Sequence, residues 1–127
     1  MSRLTHIAHV YRELFDTSAW HRRSLVASAL AILVMILLPA MRLIPSLEEQ
    51  SYIPLHYNIY FGIDRFGPWE AVFALPLAGI VLVLVNTLCE LVWFHREPVL
   101  SPILALAEMG AQAALLTATV FVVLLNI

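Results

Sequence analysis

The chain has 127 residues, of which 61% are hydrophobic and 13% are charged. A soluble domain carries roughly 45–50% apolar and about 25% charged residues. The composition therefore excludes a water-soluble globular domain, and it also excludes a disordered chain. The length is that of one domain, and a formal net charge of −2 gives no reason to expect nucleic acid as a partner. We expect a small integral membrane protein whose main partner is the lipid bilayer.

Residues 1–23 precede the first long apolar run and have the periodicity of an amphipathic helix. One face collects apolar side chains at i, i+3 and i+4 spacing; they are Leu4, Ile7, Ala8, Tyr11, Leu14 and Phe15. Such a helix is expected to lie on the membrane interface, either as a simple anchor or as a docking surface for a partner. The helix breaks at residues 16–20, where Asp16, Thr17 or Ser18 can cap the next one.

Three segments reach the roughly 20 apolar residues that a helix needs to cross a bilayer. They are residues 24–44, 68–94 and 102–127, and residues 45–67 form a loop between the first two. Pro39 and Pro76 lie inside spans, where a missing backbone donor tends to kink a helix. Pro102 directly follows Ser101, an order typical of a proline in the first helical turn behind an N-cap residue. The predicted fold is an all-α integral membrane protein. Residues 24–127 form its three-helix membrane domain, preceded by the interfacial helix and including a structured extracytoplasmic loop.

The orientation follows from the arginines, because basic residues concentrate on the cytoplasmic side of a membrane protein. Four of the seven arginines lie in residues 1–23, whereas the loop holds Arg65 against three acidic residues, Glu48, Glu49 and Asp64. His95 and Arg96 lie in the short link between the second and third spans. We expect the N-terminus and this link to face the cytoplasm of a bacterial inner membrane. The loop and the C-terminus are then outside.

The most informative stretch of the chain is residues 51–69, SYIPLHYNIYFGIDRFGPW. From Tyr52 to Phe61 the side chains alternate with a period of two, which favours an extended, β-like segment. Gly62 and Gly67 flank IDRF, and this pattern favours a tight turn there. The many aromatic side chains suit a membrane interface. We expect the loop to fold onto the helix ends as a small cap.

The sequence IPLHYNIYFGIDRFG resembles the extracytoplasmic motif of a bacterial membrane domain of unknown function. That domain also forms the N-terminal part of SdpI-like immunity proteins, which have more spans after it than this chain has. The motif is Pro-x-His, a Gly a few residues on, an acidic residue and another Gly. It is matched by Pro54, His56, Gly62, Asp64 and Gly67, and Asn58 is similar to a polar position of the motif. The resemblance implies contact with a peptide or protein partner, in immunity to a membrane-active toxin or in sensing.

The residues of the loop are compatible with three roles. His56 or Asp64 can stabilise the turn through hydrogen bonds, in a purely structural role. Alternatively, the loop can be a recognition surface for an external peptide or subunit, or it can hold a divalent metal. Zinc sites usually need three or four His, Cys or carboxylate ligands, and the loop has one histidine. No metal, cofactor or catalytic residue is predicted, since no serine lies in a recognisable nucleophile elbow. We expect a protein that is not an enzyme.

Polar residues inside the spans form a second pattern. Asn86 and Glu90 are four residues apart, as are Glu108 and Gln112, so each pair shares one helix face. Two carboxyl groups at similar depth repel each other unless one is protonated or a cation pairs with them. The candidates for that cation are Arg22, Arg23, His95 and Arg96. Three interpretations of this cluster stay open. It can be a polar clasp, meaning a set of polar contacts that joins the cytoplasmic ends of the helices, a proton or cation relay, or a docking site for another subunit.

The third span also has a face of small residues, which let helices approach closely. They are Ala107, Gly110, Ala111 and Ala114. This face is expected to pack inside the hairpin of the last two spans, or against a membrane-protein partner or a second copy of the chain. The sequence thus favours a small SdpI-like contact protein. The alternative is an accessory subunit that stabilises a larger membrane complex.

Overall fold

The computed structural model describes residues 3–46 and 52–127, which form four α-helices and a β-hairpin. The helices are α1 (Arg3–Thr17), α2 (Ala19–Arg42), α3 (Ala74–Trp93) and α4 (Leu100–Leu125). The strands are β1 (Tyr52–Asn58) and β2 (Gly62–Pro68), with short 3-10 helices at Ile44–Ser46 and Trp69–Phe73. Residues 47–51 of the predicted loop, with Glu48 and Glu49, lie outside the described residues.

Three helices are long and apolar enough to cross a membrane. These segments are Ala19–Arg42, Trp69–Trp93 and Leu100–Leu125, with 24, 25 and 26 residues. Each exceeds the roughly 20 residues that a bilayer core requires. The prediction of a mostly helical chain with three helices apolar enough to span a membrane is therefore confirmed for the part of the chain that the structure describes.

Ser18 separates α1 from α2 and caps α2. Its backbone is extended, and its side chain accepts a hydrogen bond from the backbone N–H of His21 at 3.2 Å. A hydroxyl in this position satisfies one of the free donors at a helix N-terminus. Because Ser18 is the cap, α2 begins at Ala19, before the predicted residue 24. The first polar residues of this segment are therefore helical and share the periodicity of the span.

Both prolines that the sequence places inside spans lie there. Pro39 is inside α2, and Pro76 lies in the first turn of α3, directly after the 3-10 helix with which that span begins. Ser101 is not the cap of α4, which begins at Leu100. Its hydroxyl oxygen instead lies 2.8 Å from that of Ser18, in a hydrogen bond between α4 and the start of α2.

The three long helices pack against one another, and the face that each buries is largely polar or small. The buried residues of these helices are His21, Ser24, Ser28, Met35 and Pro39 on α2; Pro76, Gly79 and Glu90 on α3; and Ser101, Ala105, Glu108, Gln112, Thr119 and Val123 on α4. Most of the large apolar side chains of the spans point outward. This distribution is the one expected of a bundle that lipid surrounds, because polar side chains then avoid hydrocarbon by facing one another.

The β-hairpin forms from the predicted β-like segment. β1 and β2 pair antiparallel, with Tyr52 opposite Pro68 and Asn58 opposite Gly62. The turn lies at residues 59–61, because the Asn58 side chain accepts a hydrogen bond from the backbone N–H of Tyr60 at 2.9 Å. Gly62 has φ of +75°, a conformation that glycine adopts without strain. The predicted tight turn within IDRF is therefore wrong, since those residues belong to β2.

The stem of the hairpin lies against the helix ends. Leu43, Ile53 and Val72 form a small buried core there, each at most 2% exposed; the side chains packed against this core are Leu55, Trp69, Phe73 and Val122. Asn126, which follows α4, donates from Nδ2 to the carbonyl oxygen of Pro54 at 2.8 Å. The helices therefore hold the hairpin through both apolar packing and a hydrogen bond.

Candidate functional site

The centre of the helix bundle contains a group of hydrogen-bonded polar side chains. We call His21, Ser28, Asn86, Glu90 and Glu108 the interhelical cluster. His21 is 0% exposed, Glu90 is 2% exposed and Glu108 is 4% exposed. Each of the three packed helices supplies at least one member, so the cluster exists only when all three are assembled. The three predicted members Asn86, Glu90 and Glu108 do come together.

Asn86 bridges the two carboxyl groups. Its Nδ2 lies 2.5 Å from Oε2 of Glu108 and 3.4 Å from Oε1 of Glu90. The second oxygen of Glu108, Oε1, accepts a hydrogen bond from the Ser28 hydroxyl at 2.5 Å. Both oxygens of Glu108 are therefore hydrogen-bonded, and α2, α3 and α4 are connected through this one carboxyl group.

His21 lies at the other end of the interhelical cluster. Its Nδ1 is 2.8 Å from Oε2 of Glu90, which is an ion-pair distance. The ring N–H direction does not meet Oε2, so neither atom has an aligned hydrogen bond, and Nε2 also lacks a partner among the described residues. The ring of Tyr11 contacts His21 edge to face, at 5.9 Å between centroids. Helix α1 thus covers a buried imidazole whose hydrogen bonds are incompletely satisfied.

The predicted cation partners of the carboxyl groups are wrong. Arg22 donates to the carbonyl oxygens of residues 15 and 16 at 2.6 and 2.9 Å, and Arg23 lies over the Trp20 ring. His95 is 3.8 Å from Glu13 at the surface, and Arg96 is exposed. The group beside Glu90 is His21. The sequence signal for His21 is its polar spacing with Ser24 and Ser28, at i, i+3 and i+7, which marks one helix face. The flanking arginines carry a more obvious charge but do not reach the carboxyl groups.

Gln112 is buried one turn beyond Glu108 but forms a different contact. Its Nε2 donates to the backbone carbonyl oxygen of Gly79 at 2.8 Å. Its Oε1 has no hydrogen-bond partner among residues 3–46 and 52–127. The fourth residue predicted for the cluster therefore joins α4 to the backbone of α3. It is not a member of the interhelical cluster.

The small-residue face of α4 points away from the other helices. Ala107, Gly110 and Ala114 are exposed, and Ala111 is partly buried. A Cβ atom at Gly110 would meet nothing within 4 Å. α4 contacts the bundle through another face, which includes Ala105, so close packing of the small-residue face against a partner stays a prediction.

The motif residues of the predicted loop all lie in or beside the hairpin and shape it. His56 Nδ1 on β1 lies 2.7 Å from Oδ1 of Asp64 on β2, and these side chains are 63% and 37% exposed. Asn58 and Gly62 are paired at the two ends of the turn. Gly67 is buried opposite Ile53, and the carbonyl of Pro54 accepts the hydrogen bond from Asn126. The motif therefore specifies a hairpin with an exposed cross-strand pair.

The tip of the hairpin projects from the rest of the structure. Ile59, Tyr60 and Phe61 are 81%, 86% and 83% exposed. Beside β1 lies an open groove of about 570 Å³, whose walls are mostly apolar; its lining residues are Leu55, His56, Tyr57, Ala118, Phe121, Val122, Leu124 and Leu125. A neighbouring cavity of about 690 Å³ has Asp64 and Arg65 among its lining residues. The hairpin thus combines an apolar tip with grooves whose lining includes polar groups.

Within residues 3–46 and 52–127, no three His, Cys, Asp or Glu side chains are arranged to hold a metal ion. Comparison with known proteins finds no matching family model, no similar curated protein and no similar solved structure. The likeness to the SdpI-like domain therefore rests on the motif residues themselves.

Proposed function

We propose that this chain is a small non-enzymatic protein of the bacterial inner membrane, similar to the SdpI-like domain. Its hairpin binds a peptide or protein partner outside the cytoplasm, in immunity or in sensing. In this proposal α1 is the amphipathic helix on the cytoplasmic interface, and the C-terminus lies outside. The arginine-rich segment of residues 1–23 supports that orientation.

The observation that carries the proposal is the exposed hairpin tip on a fixed stem. Three large apolar side chains in succession, Ile59, Tyr60 and Phe61, are each more than four-fifths exposed. Exposed apolar patches on a folded protein mark interaction sites. Because the stem is anchored by Ile53 and by the bond from Asn126, the tip is held in a defined position for a partner.

The grooves beside β1 suit a partner that is mostly apolar. Their walls combine leucine, valine and phenylalanine side chains of α4 with the His56–Asp64 pair and Arg65. Sites of this kind bind through apolar area, while a few polar groups fix the orientation. A membrane-active peptide has this composition, with apolar side chains and polar backbone or terminal groups.

Photo-crosslinking in living cells tests the proposal. A photoreactive residue replaces Tyr60 in the full-length chain, and the matched control carries it at Leu84, an exposed position of α3. We expect a discrete peptide or protein adduct from position 60, and its loss when His56→Ala is added. Lipid adducts alone at both positions, or an adduct that His56→Ala and Asp64→Asn leave unchanged, would contradict the proposal.

One observation favours the alternative of an accessory subunit, namely the open small-residue face around Gly110. Such a face allows a helix of another subunit to approach closely. Native mass in mild detergent distinguishes the two functions. Loss of a stoichiometric complex in Gly110→Leu, with retention in the control Leu106→Ile, supports the accessory role. A chain that purifies alone or as a homo-oligomer supports the hairpin proposal.

A further inference from the structure

The interhelical cluster encloses three titratable groups whose charges do not balance. His21, Glu90 and Glu108 are all less than 5% exposed. With both carboxyl groups ionised, the net charge of the cluster is −1 when the imidazole is protonated and −2 when it is neutral. An uncompensated charge between helices that face hydrocarbon is strongly unfavourable. One further proton on the carboxyl pair, together with a charged imidazole, makes the cluster neutral.

The surroundings supply no compensating cation among the described residues. From α1, the neutral ring of Tyr11 faces His21, and Glu13 points to His95 at the surface. From α2, Arg22 is held by backbone carbonyl oxygens and Arg23 by Trp20. From α4, Ser101 bonds to Ser18 and brings no charge.

We propose that the interhelical cluster is a proton-binding site. A proton from water adds to a carboxylate oxygen of Glu90 or Glu108, forming an O–H bond, and the same bond breaks on release. Asn86 contacts both carboxyl groups, so it holds them side by side, and the proton resides on one of the two. The site lies outside the hairpin, and the inference does not depend on the function proposed for the hairpin.

His21 connects the carboxyl pair to one end of the bundle. Of the three titratable groups it is nearest to the start of α2, and its Nε2 is buried without a partner while Nδ1 faces Glu90. An imidazole can accept a proton at one nitrogen and release one from the other. We therefore infer that the proton exchanges through His21, on the side that Tyr11 of α1 covers.

The opposite side of the interhelical cluster is closed to protons. The next polar contact of the described bundle joins Gln112 to the carbonyl of Gly79, and neither group titrates. Beyond it, the buried hydroxyl of Thr119 bonds to a carbonyl of its own helix. The cluster is therefore a site with access from the α1 end, and it is not a path across the membrane.

Infrared spectroscopy of the full-length chain in lipid nanodiscs tests the proposal. A protonated carboxylic acid has a carbonyl stretching band that is separate from the bands of a carboxylate. Spectra are recorded between about pH 4 and about pH 9, a range that brackets ordinary carboxyl and imidazole titrations. We expect the wild-type chain to retain, at neutral pH, a band equivalent to one carboxylic acid per chain.

Isosteric variants assign the band. In Glu90→Gln or Glu108→Gln, the remaining carboxylate and the imidazolium balance each other, so either substitution removes the neutral-pH band. The control Glu97→Gln changes an exposed residue of the link before α4 and retains it. Circular dichroism verifies the helix content of each variant.

Two results overturn the proposal. The first is a wild-type chain without the neutral-pH band, and this measurement requires no variant to fold. The second is a band that both single variants retain. Proton flux above that of empty vesicles, measured with a pH-sensitive dye after reconstitution, would overturn the one-sided access, because flux means a path across the membrane.

Discussion

Gln112 on α4 donates a hydrogen bond to the backbone carbonyl oxygen of Gly79 on α3, at 2.8 Å. A Cβ atom at position 79 would lie 2.8 Å from Oε1 of Gln112 and 3.2 Å from side-chain atoms of Ile32 and Met35 on α2. The missing side chain of Gly79 therefore lets three helices meet at one level of the bundle.

Gly79→Ala is expected to lower the free energy of unfolding by roughly 1 kcal/mol, because displacing the Gln112 amide loses a buried hydrogen bond and outweighs the higher helix propensity of alanine. Gly110→Ala is the matched control. With open space around its Cβ atom, it is expected to raise stability by about 0.5–1 kcal/mol.

Reversible unfolding in detergent micelles measures both glycine variants. The same Gly79→Ala change in a Gln112→Ala background is expected to be close to neutral, since the displaced group is gone. Equal effects at positions 79 and 110 would show that the contact with Gln112 has no energetic weight.

Ser28→Ala is expected to destabilise the chain by roughly 1–2 kcal/mol, because Oε1 of Glu108 loses its hydrogen-bond donor in a buried position. Thr117→Ala removes an exposed hydroxyl that bonds only to its own helix backbone. That control is expected to change stability by less than about 0.5 kcal/mol. Thermal unfolding of the two variants under one condition measures both changes in stability. A larger loss of stability in Thr117→Ala than in Ser28→Ala would be inconsistent with a structural role of the Ser28 hydrogen bond.

Asn126→Ala is expected to loosen the hairpin without unfolding the helices. Its side chain joins the end of α4 to the carbonyl of Pro54, whereas the buried contacts of α2 and α3 do not involve it. Hydrogen–deuterium exchange with mass spectrometry should show faster exchange in β1 and β2 and unchanged exchange in α2. Thr117→Ala again provides the reference, and uniform acceleration over the whole chain would argue against this specific attachment.

His56→Ala is expected to lower the unfolding free energy by less than about 1 kcal/mol, because the pair with Asp64 is largely exposed to solvent. Ile53→Ala, at a residue 2% exposed, should cost roughly 2–5 kcal/mol. Both values come from the same unfolding experiment. If His56→Ala destabilised as strongly as Ile53→Ala, any loss of partner binding in that variant would be explained by misfolding of the hairpin.

Cysteine labelling tests the predicted orientation. In a Cys89→Ser background, Tyr60→Cys places a thiol at the hairpin tip and Glu97→Cys places one in the link before α4. A membrane-impermeant maleimide added to intact cells should label position 60 at once. It should label position 97 only after the membrane is permeabilised. The reverse pattern would invert the orientation and place the hairpin in the cytoplasm.

The three spans were predictable because long apolar runs carry a strong signal over many residues. The Ser18 cap and the β-like segment were also predictable, since each depends on local sequence. The position of the turn was not predictable in this way. Two glycines flank IDRF and favour a turn there, but the observed turn precedes both glycines, where the Tyr60 backbone N–H donates to the Asn58 side chain.

The interhelical cluster was predictable only in part. The spacings of Asn86 with Glu90 and of Glu108 with Gln112 identified the carboxyl groups, because periodicity reports which residues share a helix face. It does not report how two helices are rotated against each other. The partner of Glu90 is therefore His21, more than sixty residues away in the chain, and Gln112 faces the backbone of Gly79.

The order of the interhelical cluster along the chain has a consequence for biosynthesis. His21 and Ser28 are made before Glu90 and Glu108, the residues they contact. When the two acidic helices leave the ribosome, a helix that can receive their carboxyl groups has already been synthesised. Neither helix then has to reside alone in lipid with an unpartnered glutamate. We expect α2 to be retained beside the insertion machinery until α3 and α4 arrive.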